Sequence, residues 1–82
     1  MNISDQLIIR DFEEKIMIIN LANGKVTVID EIGVKYWNAL INEVPKSEFV
    51  ESMLSEYDVD QAVIEKDYEE FVEKMKEEQI IW

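Results

Sequence analysis

The hydrophobic pattern of this chain changes period once, at Asp30, and does not change back. Before Asp30 the apolar residues fall in short runs. Residues 7–12 (Leu-Ile-Ile-Arg-Asp-Phe) and 15–20 (Lys-Ile-Met-Ile-Ile-Asn) read as strands, and residues 25–29 (Lys-Val-Thr-Val-Ile) are rich in the β-branched side chains that suit a pleated surface. Asn23-Gly24 lies between the last two runs and accepts positive φ cheaply, which is a hairpin signal. Beyond Asp30, Val34, Tyr36, Trp37, Leu40 and Ile41 recur at helical spacing. The chain therefore has to put strands first and helices after.

Each helix has a start or stop signal. Asp30 is an N-cap residue whose carboxylate can accept first-turn N–H groups. Pro45 disfavours helical geometry at Val44 and ends the first helix. Ser47 is the expected cap of a second helix with the face Phe49, Val50, Met53, Leu54 and Tyr57, and Asp60 the expected cap of a third. In that third helix Ile64, Tyr68, Phe71 and Met75 fall within about 60° of one another, a single stripe edged by Asp67, Lys74 and Glu78. Ile80 and Ile81 are expected to pack down. The order is β-β-β-α-α-α: one α+β domain over residues 1–82, winged-helix-like, with a three-stranded antiparallel sheet followed by three helices on one side. Residues 15–20 are apolar on both faces, Ile16 and Ile18 on one and Met17 and Ile19 on the other. A sheet covered on one side alternates apolar with polar. The first strand, a terminus or another molecule is therefore expected to cover the second face.

Composition excludes several classes of function. There is no Cys and no His, so a disulfide scaffold, a zinc-thiolate site and the commonest general base are all absent. The serines and the threonine lack an activating context, and with Gly24 and Gly33 as the only glycines there is no phosphate-cradling loop. Carboxylate pairs such as Glu69/Glu70 and Glu77/Glu78 read as solvated helix faces. No cofactor, metal or catalytic residue is expected, and the chain reads as a binder. The net charge of −11 is uneven: −2 over residues 1–41 and −9 over residues 42–82. That disfavours nucleic acid and anionic membranes as partners. With no apolar run of membrane-spanning length and no signal-peptide pattern, the expected location is cytoplasmic.

Two segments carry a family resemblance. One is Lys25-Val-Thr-Val-Ile-Asp-Glu-Ile-Gly-Val-Lys-Tyr-Trp-Asn-Ala-Leu-Ile41. The other is Phe49…Leu54-Ser-Glu-Tyr-Asp-Val-Asp60 followed by Ile64-Glu-Lys-Asp67-Tyr…Phe71…Met75. Together, over about residues 12–82, they resemble the PqqD-like proteins, the recognition elements of ribosomally synthesised and post-translationally modified peptides (RiPPs). Three positions depart from that family: Ile32 stands where Thr or Ser usually precedes the helix-1 glycine, and Glu43 and Gln79 stand where glycine often follows helix 1 and lies near the end of helix 3.

The resemblance implies a peptide chaperone. Such domains bind the leader segment of a precursor peptide as an added strand and present it to a maturation enzyme, such as a radical SAM maturase, a cyclodehydratase or a lasso-peptide leader peptidase. Here the implied edge is Val26, Thr27, Val28, Ile29 and Asp30, and the implied opposite wall is Ile64, Asp67, Tyr68, Phe71, Lys74 and Met75. Asp67 is the candidate partner for a leader Lys or Arg; Phe71 and Met75 also fit as core residues, and Tyr36 and Trp37 are assigned to the core. Two other readings stand beside this one. The apolar sheet face could mediate homodimerisation or make the chain a regulatory subunit of a larger enzyme. A winged-helix nucleic-acid binder is the third, opposed by a helix 2 without basic residues between Ser47 and Tyr57.

Overall fold

A computed structural model describes all 82 residues. Strands β1 (Leu7–Phe12), β2 (Lys15–Asn20) and β3 (Val26–Ile29) form one antiparallel sheet in the order β1-β2-β3, followed by helices α1 (Glu31–Ile41), α2 (Lys46–Glu56) and α3 (Gln61–Glu77). The α+β order read from the periodicity is the observed one. The β2–β3 turn uses Gly24 at φ 75°, the conformation for which the Asn-Gly pair was read. The β1–β2 turn carries no glycine and places Glu13 at φ 55°.

The caps differ from expectation. Helix α2 starts at Lys46 with Pro45 as its N-cap, so Ser47 lies inside the first turn and is not the cap. Asp30 and Asp60 do occupy N-cap positions, but neither side chain makes a capping hydrogen bond. Their backbone carbonyls accept the first intrahelical bonds, from Val34 N–H at 2.8 Å and Ile64 N–H at 3.2 Å. Each carboxylate still adds negative charge at a positive helix end.

Glu43 and Gln79, where the family often has glycine, sit at φ 55° and 60°. Each closes a Schellman motif. After α1, Glu43 N–H donates to Leu40 O at 3.2 Å and Val44 N–H to Ala39 O at 3.0 Å; after α3, Gln79 N–H donates to Lys76 O at 3.0 Å and Ile80 N–H to Met75 O at 2.9 Å. The fold keeps the left-handed turns and bears the strain of a side chain at each.

The core has two parts separated by α1. Its sheet-facing side puts Trp37 and Leu40 against Ile16, Ile18 and Ile29, with Met75, Ile80 and Ile81 closing the cluster. Its other side puts Tyr36 and Ala39 against Phe49, Val50, Met53 and Ile64. The C-terminal tail packs down as expected. Ile3 bridges Ile81, and Asn2 and Trp82 exchange backbone bonds at 2.8 and 3.0 Å.

The first strand does not cover the second face of the sheet. Strand β1 lies beside β2 and not over it. Met17 and Ile19 are half-buried, while Phe12, Val26 and Val28 on the same face are 46%, 58% and 53% exposed.

A free sheet edge beside the last helix

Strand β3 is paired on one side only. The phase of its hydrogen bonds follows from one contact: Asn20 N–H donates to Lys25 O at 2.9 Å, which makes residues 20 and 25 a hydrogen-bonded pair. In an antiparallel ladder such pairs alternate. Thr27 opposite Ile18 and Ile29 opposite Ile16 therefore bond to β2, and the N–H and C=O groups of Val26 and Val28 point away from the sheet. Side chains alternate on the other axis. Thr27 and Ile29 are buried towards the helices, and Val26 and Val28 lie on the open face.

Helix α3 forms the facing wall. Between it and β3 runs a cleft of about 160 Å³, lined by Thr27, Val28, Ile29 and Asp30 on one side, Phe71, Lys74 and Met75 on the other, and Gly33 at the end. It continues into a shallower recess of about 320 Å³ that shares Asp30, Gly33, Phe71 and Lys74 and adds Ile32, Tyr36, Asp67 and Glu70.

Two local features hold the cleft open at this width. A Cβ on Gly33 would stand 2.6 Å from Ile29 Cγ2, so only glycine lets α1 leave β3 this closely. At the other end Asn20, 2% exposed, donates from Nδ2 to Glu78 O at 3.2 Å and Gln79 O at 3.3 Å. Asn23 Nδ2 donates to Glu78 O as well, at 3.3 Å. These amides satisfy the last carbonyls of the α3 terminus and tie it to the hairpin that carries β3.

The charges at the site are unusual for so acidic a chain. Five lysines form ion pairs, Lys25–Glu78, Lys35–Glu56, Lys46–Glu69, Lys66–Glu70 and Lys76–Glu73. Lys74, in the cleft wall, forms none. Asp30, Asp67 and Glu70 surround the recess. Burial, and then the nearby Asp67 carboxylate, push the Tyr36 hydroxyl above its usual titration range.

The structure brings together Thr27, Val28, Ile29, Asp30, Phe71 and Lys74 in the cleft, with Met75, a core residue 1% exposed, beneath it, Asp67 in its extension and Val26 on the free edge. It does not bring Ile64 or Tyr68 there. Both lie on the stripe of Phe71 but nearer the start of α3, where α1 and α2 close over the helix. Ile64 is 2% exposed, and the Tyr68 ring lies 5.1 Å from Phe49 and 6.0 Å from Tyr36. Sequence reasoning missed Gly33, Ile32 and Glu70 as lining residues, and Asn20 and Asn23 as the tie. A signal for Asn20 was present: it is polar at the inward-facing phase of an apolar strand. No group of His, Cys, Asp or Glu is arranged to hold a metal ion, and no helix is long and apolar enough to cross a membrane.

Comparison with known proteins fits this geometry. The family model of coenzyme PQQ synthesis protein D (PqqD) matches residues 15–81. No curated protein matches the chain. Among solved structures, one described as TbiB1 in complex with the TbiA(beta) leader peptide superposes with a TM-score of 0.86 at 23% identity, covering 99% of this chain and 94% of that one.

Proposed function

The chain belongs to the PqqD family, and on that premise we propose that it binds the leader segment of a ribosomally made precursor peptide and presents it to a maturation enzyme, without catalysis of its own. One observation carries the reading: β3 is an unpaired edge whose outward peptide groups, at Val26 and Val28, stand beside the cleft walled by Phe71, Lys74 and Met75. An extended peptide added there gains backbone hydrogen bonds that any sequence can make. Its alternate side chains enter the cleft, where Phe71, over the buried Met75, selects apolar groups. The fold shared with TbiB1, itself described with a leader peptide, supports the same reading.

The charges suggest which residues choose the partner. Lys74, without an ion pair, is placed to receive a leader carboxylate, and Asp67 and Glu70 to receive a leader Lys or Arg. At the mouth of the cleft these groups govern on-rate and partner choice more than affinity. Titrating the chain with synthetic segments of its precursor's leader, followed by backbone amide shifts, tests the proposal. Saturable shifts confined to residues 25–30 and 67–75 are expected. Shifts spread elsewhere, or none with any leader segment, would refute it.

A further inference from the structure

The face of the sheet turned away from the helices is an apolar feature that the groove leaves unused. The strand register lays it out in rows: Ile8, Ile19 and Val26; Arg10, Met17 and Val28; Phe12 and Lys15. Apolar side chains make up most of it, and the ones over β3 are more than half exposed. A continuous apolar surface of this kind on a small domain marks an interaction site.

Its charges say what the partner is. The chain has 19 carboxylate side chains against 8 basic ones, yet every charged side chain in these rows is cationic. Arg10 takes no part in the molecule's ion pairs, whereas Lys15 shares a recess with Asp11, Glu13, Glu14 and Glu31. A second copy would bring two Arg10 cations together in one interface between two bodies of charge −11. A partner with an apolar surface edged by carboxylates neutralises Arg10. The rows also hold Arg, Met and Phe, residue types enriched at interface centres.

We infer that this outer sheet face docks the maturation enzyme through an apolar, carboxylate-rimmed surface on the enzyme. The inference rests on the groove reading only for the identity of the partner. Val26 and Val28 belong to both surfaces: their peptide groups edge the groove and their side chains lie on the outer face. A leader strand added at β3 would extend the face by one strand, so the enzyme would meet the peptide and its carrier on one continuous surface.

The test uses the full chain, the purified enzyme that modifies the precursor, and the synthetic leader segment. Arg10→Glu and Phe12→Ser alter exposed side chains away from the groove, and Lys66→Glu makes the same charge change on α3. Arg10→Glu and Phe12→Ser should each weaken enzyme binding at least about tenfold while leader affinity stays within about twofold, with Lys66→Glu near wild type. Circular dichroism establishes that each variant is folded. Unchanged enzyme affinity in Arg10→Glu and Phe12→Ser, an equal loss in Lys66→Glu, or no enzyme binding by the wild type would overturn the inference. So would a wild-type dimer in sedimentation that Phe12→Ser dissociates. A wild type that binds the enzyme through Arg10 but ignores the leader would uphold this face and refute the groove.

Discussion

Proline substitution along β3 separates strand addition from every other way of using the groove. At Val28 the N–H points away from β2, so Val28→Pro removes no bond of the native ladder. The residue before it, Thr27, is already in a strand, where proline prefers its predecessor. Fold stability should therefore change by no more than about 1 kcal/mol. An incoming strand loses one backbone donor, worth about 0.5–1.5 kcal/mol net, and meets the pyrrolidine ring where that N–H stood. Together these should cost about 1.5–3 kcal/mol, roughly 10- to 150-fold in leader affinity. One residue away the result reverses. Thr27 bonds to β2 opposite Ile18 and is buried, so Thr27→Pro should lower unfolding stability by about 2–3 kcal/mol. Isothermal titration gives the affinities and urea unfolding the stabilities. A folded Val28→Pro that binds the leader within twofold of wild type would remove strand addition at this edge. Equal stabilities for the two variants would remove the alternation on which the site is built.

Other outcomes follow from the same geometry. Asn20→Ala removes the amide donor to the Gln79 carbonyl and leaves the Glu78 carbonyl to Asn23 alone, and should cost about 1–2 kcal/mol in urea unfolding and weaken leader binding as α3 loosens from the hairpin. Glu43→Gly and Gln79→Gly relieve positive-φ strain at two Schellman positions, and each should raise stability by about 0.5–1 kcal/mol in thermal melts. Leader affinity should fall as salt rises if the acidic surface steers the peptide; equal affinity at low and high ionic strength would remove steering and leave strand addition intact. The pH dependence lies on the alkaline side. Hydrogen bonding to Glu56 raises Lys35 and to Glu69 raises Lys46 above 10.5, and burial raises Tyr36 and Tyr68 above 10.0. Each folded group thus holds its proton to higher pH than the unfolded one. Their contributions are complete below the unfolded values and are lost as pH climbs through the folded ones. Stability followed by circular dichroism should drop above about pH 10, with tyrosinate absorbance of the native protein rising late; a fall between pH 7 and 9 would contradict these shifts.

Much of this molecule is local in origin, and local features can be read from the chain. The switch of period at Asp30, the Asn23-Gly24 turn and the stripe on α3 follow from side-chain spacing and backbone preference, so the order of elements and most of the core were legible. So was the character of the second sheet face: Met17 and Ile19 showed that β2 is apolar on both sides. The caps were less so. Ser47 and Pro45 both suit a helix start, and the choice between them turns on one residue of backbone geometry. Glu43 and Gln79 have no composition that announces a left-handed turn.

What only the tertiary structure decided is which surfaces stay free. An edge is defined by the absence of a neighbour, and no residue of β3 encodes that β1 pairs on the far side of β2. The direction in which Val28 N–H points depends on the phase set by the Asn20–Lys25 pair across the hairpin. Ile64, Tyr68, Phe71 and Met75 share one stripe of the helix, yet α1 and α2 cover the first two, the sheet cluster buries Met75, and Phe71 is left at the cleft. Spacing along a helix places a residue on a face; the crossing of other elements over that face determines whether it becomes core or site.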